Sequence, residues 1–436
     1  MKPHTSKAYL LNGASRSGWE ATAIPAPPTP PVDSDIACEA LVIGAGYSGL
    51  NAAIRLAEGG KAVTVVDTGG PGYGASGRNG GQVIPGLKYD PDALLRKMGE
   101  TAGRALIRFA GDAADRTFDL IEKYQIPCDA QRSGWLQPAV SEKTLRMVRG
   151  RAEQWQRHTG TDVKLLSAGQ VRDLTGTDEF VGGWIDPRGG FLQPLSYARG
   201  LAQVALGLGV RVAGHSPVTR LSKQGAAWEA EVNGFRVVAP SVVLATNGYT
   251  GNLIPGLKPS LVPGTSVQVA TEPLAEDLRE TILPGGLPVS DTRRILQYMR
   301  FDSAGRFLIG GRGSFRPGEP ARYYRTLRRL AEAKFPQLKG IAWQHRWAGT
   351  IALTADGLPH LHIPEERLYI ALGYNGRGVA MASQMGRLLG ELAIDGEREG
   401  SPFPITDIRP IPFHSCRAIG AEAIGTWYRT LDRFGL

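Results

Sequence analysis

The sequence predicts an α/β protein in which a Rossmann-like, three-layer dinucleotide-binding domain is joined to a second domain built on its own sheet. Three observations carry this reading. The apolar run Glu39-Ala-Leu-Val-Ile43 passes through Gly44-Ala-Gly46-Tyr47-Ser48-Gly49 into a helical pattern with Leu50, Ala53, Ile54 and Ala57 on one face. Gly59-Gly60 closes that helix, and Ala62-Val-Thr-Val-Val66 ends in Asp67, so strand, glycine turn, helix, strand and acid follow within about 30 residues. A strand-rich stretch over 260–315 then lies between regions of helical spacing, as a separate sheet requires.

Residues 1–35 read as an arm. Its run Pro25-Ala-Pro-Pro-Thr-Pro-Pro31 favours extended polyproline, either along the body or frayed from it. The arm lacks the basic start, apolar stretch and small-residue cleavage site of a secretory signal, so the expected location is the cytoplasm. Residues 90–124 read as one long helix, with Leu94, Leu95, Met98, Leu106, Ile107, Phe109, Phe118 and Ile121 facing the core. A strand is expected over 134–138 and helices over 141–158 and 194–208, the last with Pro194 in its first turn. Asn233-Gly234 between two apolar runs signals a hairpin, and Ser241-Val-Val-Leu-Ala-Thr246 is a buried strand ending at Asn247-Gly248. Further helices are expected over 321–335 and 379–394. The dinucleotide-binding domain therefore gathers 36–90, 160–258 and 345–400, and the second domain 91–159 and 259–344. Residues 401–436 form a C-terminal extension, and the active site is expected where the domains meet.

Composition narrows the function. The chain has 436 residues, 57 of them Gly and 30 Pro, with 42% apolar residues, so it is globular and loop-rich. No apolar run is long enough for a transmembrane helix. Cys38, Cys128 and Cys416 are too far apart for a disulfide framework or a CxxC metal site. The net charge of +9 is scattered along the chain, which speaks against nucleic acid and for anionic ligands. His360-Leu-His362 lacks a third ligand, so no metal is expected.

The glycines have separate tasks. Gly44 permits the tight turn, Gly46 lets the backbone approach a diphosphate, and Gly49 lets helix and strand pack closely. A diphosphate would sit at the helix N-terminus, and Asp67 would accept from a ribose. The next segment, Gly72-Tyr-Gly-Ala-Ser76-Gly-Arg78-Asn79-Gly80-Gly81-Gln82-Val83, replaces the helix that a nicotinamide dehydrogenase would place there. A glycine loop with Arg, Ser, Asn and Gln suits a flat, polar ring system.

That loop, from Ala75 to Gln82, resembles the second flavin motif of the D-amino-acid-oxidase superfamily of FAD enzymes, and within it the gamma-glutamylputrescine oxidase branch. Matching stretches include Gly189-Gly-Phe-Leu-Gln-Pro194, Tyr298-Met-Arg300, Arg346-Trp-Ala-Gly349, Asp356-Gly-Leu-Pro359 and Gly373-Tyr-Asn-Gly376-Arg377-Gly378-Val379. The resemblance implies a D-amino-acid-oxidase-type architecture, with an antiparallel-sheet α+β substrate domain beside the Rossmann-like one. It also implies that FAD is held by Gly44, Gly46, Tyr47, Ser48, Gly49 and Asp67; by Ser76, Arg78, Asn79, Gly80, Gly81 and Gln82; and by Val218 and Gly349. Gly376, Arg377, Gly378 and Val379 would bring a helix N-terminus to the flavin, where a dipole and Arg377 stabilise negative charge. Residues 347–353 hold neither Cys nor His, so FAD is expected to be noncovalent. Gln193 and Arg377 depart from the oxidases the chain resembles, which carry His at both.

The implied reaction is oxidation of a primary or secondary amine or amino acid, gamma-glutamylputrescine-like or otherwise carboxylate-bearing, to an imine that water hydrolyses. O2 or another acceptor takes the electrons. Tyr298 and Arg300, two apart on one strand, face the same side and suit carboxylate capture; Trp135 would roof the pocket. A dehydrogenase feeding a quinone or partner subunit and a non-catalytic FAD subunit remain open, as does homo-oligomerisation.

Overall fold

Strand β1 (Ala40–Ile43) turns at Gly44 into helix α1 (Tyr47–Glu58), and β2 (Val63–Val66) returns parallel to β1. The structure, a computed structural model, describes residues 17–315, 321–396, 400–422 and 425. Gly44 has φ +114, and a Cβ on Gly49 would lie 1.8 Å from the Gly44 carbonyl oxygen. Only hydrogen fits there, so the turn and the close α1–β1 packing both depend on glycine.

The stretch expected as one helix is three: α2 (Pro91–Met98), α3 (Glu100–Gly111) and α4 (Ala113–Lys123). Gly99, with φ +78, takes the chain out of the right-handed region and ends α2, while Asp112 separates α3 from α4. Apolar spacing continues across both breaks because each short helix buries one face. Then come β3 (Trp135–Ala139), α5 (Glu142–Thr159), α6 (Pro194–Gly207), β4 (Arg211–Ala213) and β5 (Ser241–Leu244). The strands β6 (Val262–Pro273), β7 (Gln297–Phe301) and β8 (Arg306–Arg312) precede α7 (Ala321–Lys334). Farther along the chain come β9 (Trp343–Leu353), β10 (Leu368–Leu372) and α8 (Gly378–Asp395).

Two large sheets organise these elements. The first runs His360–His362, β10, β5, β1, β2, β4, parallel except at its first strand. Alternate residues part to its two faces, as the pleat requires. Ala40 and Val42 join a core with α1, α6 and α8, while Leu41 and Ile43 join Trp228, Ala230 and Val237 of the hairpin layer. That layer is a four-stranded sheet whose turn at Asn233 (φ +53) and Gly234 (φ +87) has the paired positive φ of a tight hairpin. Helices, parallel sheet and hairpin sheet are the three layers expected.

The second sheet has eight strands in the order β9, β6, β8, β7, Val289–Ser290, β3, Gly182–Asp186, Lys164–Ser167. Neighbours are antiparallel except Val289–Ser290 with β3. The boundaries expected at 160 and 345 fall inside this layer, because strands out to Asp186 and all of β9 pair into it. The boundary expected at 91 also moves. Leu94, Leu106, Ile107 and Phe118 of α2–α4 share the core of the parallel sheet's helices.

The described part of the arm is fastened to the body. Ser17 caps a short turn over Gly18–Ala21, Trp19 is 1% exposed, and the Val32 N–H donates to Ser216 Oγ at 2.9 Å. The C-terminal extension returns over the parallel sheet, where the Thr406 N–H donates to the Leu361 carbonyl at 2.8 Å. Residues 1–16 of the arm and 426–436 of the extension lie outside the described residues. No helix among the described residues is long and apolar enough to cross a membrane.

Candidate active site

Ligands in open α/β sheets bind beyond the carboxyl ends of the strands, and four such ends converge here. Gly44 follows β1, Asp67 follows β2, Ala245–Asn247 follow β5, and Tyr374 follows β10; all line one cavity of about 570 Å³. The opposite wall comes from the second sheet through Tyr298, Gly311, Arg312, Gly349 and Thr350. The cavity therefore lies between the two sheets, where the sequence expects the active site.

Two helix N-termini open on it, and neither carries a side-chain cap: α1 after Gly46 and α8 after Arg377. Uncapped amides at a helix start favour anions. A Cβ on Gly46 would meet Ser76 Oγ at 2.9 Å, while Ser76 Oγ accepts from the Tyr47 N–H at 3.0 Å. Asp67 is half-buried, and desolvation pushes its carboxyl up. Its two oxygens accept from the Ala45 and Gly69 N–H groups, both at 2.8 Å, which ties the end of β2 to the glycine turn.

The loop after β2 is shaped mainly by its own side chains. Asn79 Nδ2 donates to the Ser76 carbonyl at 2.8 Å and its Oδ1 accepts from the Gly81 N–H at 2.8 Å. Arg78 Nε donates to the Tyr73 carbonyl at 3.0 Å and Nη1 to the Ala348 carbonyl at 3.3 Å, which fixes the loop against Gly349. Gln82 Nε2 donates to the Val289 carbonyl at 3.0 Å and Oε1 accepts from Ser290 Oγ at 2.5 Å. Ser48 Oγ and Tyr374 Oη share a hydrogen bond of 2.5 Å, which joins the starts of α1 and α8.

Several expected residues stand elsewhere. Tyr47 lines the cavity, but its hydroxyl donates to the Pro194 carbonyl at 2.9 Å and its ring packs on Tyr197, so its phenol belongs to the helix layer. Gly81 is behind the wall, with φ +71 and the Leu192 carbonyl 2.2 Å from where a Cβ would be. Val218 begins a strand of the hairpin sheet, packs on its apolar cluster and does not line the cavity. Arg300 is the largest correction. It is 4% exposed, lies off the cavity wall, and donates to the Gly80, Phe301 and Leu192 carbonyls at 2.8, 2.9 and 2.8 Å. Its guanidinium carbon lies 4.6 Å from the centroid of the Trp19 ring and 4.8 Å from that of Phe191. Tyr298 and Arg300 do share a side of β7, yet only Tyr298 reaches the cavity. Gln193 is also off the wall; it caps α6 and holds the arm through the Trp19 carbonyl at 2.8 Å.

At the other end stand Trp135, Tyr298 and a group of cations. Burial pushes the Tyr298 phenol far above its usual range, so it stays neutral, sharing a 2.9 Å hydrogen bond with Ser266 Oγ. Trp135 is 2% exposed, and its Nε1–H has no acceptor among the described residues. Arg377 Nη1 donates to the Pro85 carbonyl at 2.9 Å with its guanidinium 5.4 Å from the Trp135 ring. Burial brings Arg377 down to about 10, which leaves it charged at neutral pH. Lys88, exposed as a whole at the cavity rim, is held below the lysine range by partial desolvation of its ammonium and by Arg312 and Arg377. Among the described residues, seven cationic side chains line the cavity against two carboxylates, Asp67 and Asp291, and no His or Cys does.

Sequence reasoning missed Lys88, Arg312, Tyr374, Asn247 and the arm's Trp19. A signal existed for Asn247 and Tyr374, since each follows a parallel strand. None existed for Lys88, Arg312 or Trp19, which only tertiary folding brings near.

A glycine cradle between parallel strand ends, a second uncapped helix and a cationic, aromatic end define a dinucleotide-dependent oxidoreductase. Comparison with known proteins makes the class specific. A family described as FAD dependent oxidoreductase matches residues 39–392, and the chain belongs to that family. It is 32% identical over 439 aligned residues to gamma-glutamylputrescine oxidoreductase of Escherichia coli, covering 100% of both chains. It is likewise 32% identical to the probable oxidoreductase OrdL of Haemophilus influenzae, over 93% of this chain and 94% of that one. Among solved structures, glycine oxidase from Geobacillus kaustophilus superposes with a TM-score of 0.73 at 20% identity, over 86% of this chain and 99% of that one. L-proline dehydrogenase from P. horikoshii gives 0.69 at 22% identity, over 88% and 99%. These two structures share the fold.

Proposed function

We propose that this protein oxidises a carboxylate-bearing primary or secondary amine at the carbon attached to nitrogen, using noncovalently held FAD. The overall balance is amine plus O2 and water giving a carbonyl compound, the released amine or ammonia, and H2O2. One arrangement carries the reading: the glycine cradle and the cationic, aromatic end share a single cavity. Relatives whose names point to gamma-glutamylputrescine and glycine support it, since both compounds are amines.

The residues present suit FAD. The α1 N-terminus would hold the diphosphate, Asp67 the ribose, the 76–82 loop and Gly349 the ring system, and the α8 N-terminus its pyrimidine edge. Bound FAD supplies a two-electron acceptor for the hydride equivalent leaving the substrate carbon. The absence of His and Cys from the wall among the described residues supports noncovalent binding.

The protein's part is to place and deprotonate the amine. A substrate carboxylate would be met by Lys88, Arg312 and Arg377, the cations around the far end, in place of Arg300. Trp135 offers an unused N–H and Tyr298 a neutral hydroxyl for orientation. Surrounding cations lower the pKa of a bound ammonium, so the amine enters the reaction neutral and needs no dedicated base. Anaerobic mixing of the flavin-loaded protein with a panel of amines tests this. Carboxylate-bearing amines should bleach the flavin fastest, and peroxide should form when air is admitted. A flavin that no amine bleaches would exclude the reading, and bleaching without peroxide would assign the electrons to another acceptor.

A further inference from the structure

We infer that the N-terminal arm is part of the cofactor site and that Trp19 is a positioning residue. Its indole fixes the Asn79–Gly80 peptide so that the Gly80 N–H faces the cavity. The arm precedes the segment that matches the family, residues 39–392, so this support reaches the loop from outside that segment.

Four consecutive carbonyls of the cofactor loop are held by donors that do not line the cavity. Arg78 O accepts from Trp347 Nε1–H at 3.0 Å, Asn79 O from Trp19 Nε1–H at 2.8 Å, Gly80 O from Arg300 Nε–H at 2.8 Å, and Gly81 O from the Leu192 N–H at 2.8 Å. A trans peptide points its N–H opposite its carbonyl. With Asn79 O turned back to Trp19, the Gly80 N–H points the other way, and Gly80 is on the cavity wall. Among the described residues nothing accepts from that N–H. It is a donor set in place for a ligand.

Trp19 is itself over-determined, as a positioning group must be. Its carbonyl accepts from Gln193 Nε2 at 2.8 Å, and its own N–H donates to Ser17 Oγ at 3.3 Å. Its ring meets Trp347 edge-on at 5.7 Å and carries the Arg300 guanidinium at 4.6 Å. Gly18 allows this approach, since a Cβ there would come 2.5 Å from the Trp347 ring. Only the Trp19 support comes from outside the family segment.

The inference rests on the FAD reading of the cavity, and the test separates the two. W19F keeps a ring and loses the N–H. Apoprotein titrated with FAD, followed by flavin fluorescence, should show a dissociation constant about fivefold higher for W19F than for wild type, the effect of one hydrogen bond. The W19F apoprotein, short of one buried hydrogen bond and part of a buried ring, should melt slightly lower but still cooperatively, so the titration compares folded proteins. Coupling is reciprocal, so FAD must also slow amide exchange over residues 17–24 in the wild type, a measurement that needs no variant. An unchanged dissociation constant in W19F, or exchange in the arm that ignores FAD, would overturn the inference and leave the cofactor reading intact. A wild-type protein that binds no FAD would overturn both.

Discussion

Arg300 donates through Nε, Nη1 and Nη2 to backbone carbonyls and packs on the rings of Trp19 and Phe191, so it holds the 76–82 loop rather than a substrate. Strand alternation placed it correctly beside Tyr298; burial decided its role. Lys88 and Arg312 are on the cavity wall instead. We predict opposite signatures for R300A and K88M. R300A should lose about 3 kcal/mol in urea denaturation, because it strips a buried, hydrogen-bonded cation, and should retain less FAD. Its preference for carboxylate-bearing over neutral amines should not change. K88M should fold normally and lose about fivefold of that preference, as expected for a partly exposed ion pair. The pH dependence follows from the sign of the Lys88 shift. Its pKa is lowered, so its charge is present at low pH and is lost as pH rises, sooner than for an ordinary lysine. The preference of the wild type should therefore fall with rising pH toward the K88M value. A K88M enzyme with undiminished preference would remove Lys88 from substrate binding.

Helices α1 and α8 deliver their N-termini to one cavity because they pack unusually closely along their length. Gly386 makes this possible: a Cβ there would be 2.3 Å from the Ser48 carbonyl oxygen and 2.9 Å from Asn51 Cβ. Gly390 does the same one turn later, with Arg55 Cβ at 2.8 Å. G386A should push α8 off α1, cost about 1–3 kcal/mol as an overpacked contact, and weaken FAD binding by separating the two anion-seeking termini. Gly150, inside α5 with nothing within 4 Å of its Cβ position, is the control. There the same change should stabilise by about 0.5–1 kcal/mol through helix propensity alone and leave FAD binding unchanged. Thermal melts and flavin titration of the two variants read both effects. Equal behaviour at 386 and 150 would show that close helix contact does not set the cofactor site.

Across the whole molecule, what was legible in the sequence is what local patterns encode. The βαβ unit, the hairpin at Asn233-Gly234 and the α8 start all depend on residues adjacent in the chain, and all stand where expected. The 91–123 helices misled because apolar spacing survives the breaks at Gly99 and Asp112, of which only the first is marked by a residue with positive φ. Domain boundaries misled because strands at 164–186 and 343–353 carry no mark of which sheet they join. Lys88, Arg312 and Trp19 were invisible as site residues because their neighbours come from other parts of the chain. The same interleaving gives the last prediction. The cavity takes one wall from the parallel sheet and the other from β7, β8 and β9, so FAD held there would contact both layers only when they are docked. A ligand that binds the folded form alone stabilises it by about 2.7 kcal/mol at a hundred times its dissociation constant. With an unfolding entropy near 2.1 cal/mol/K per residue, a chain of this length should melt roughly 3 °C higher with FAD than without. Because both walls are engaged, FAD should also slow proteolysis in each layer, at the 160–163 connection as well as the 246–260 one. Protection confined to the parallel-sheet side would mean that the second sheet does not close on the cofactor.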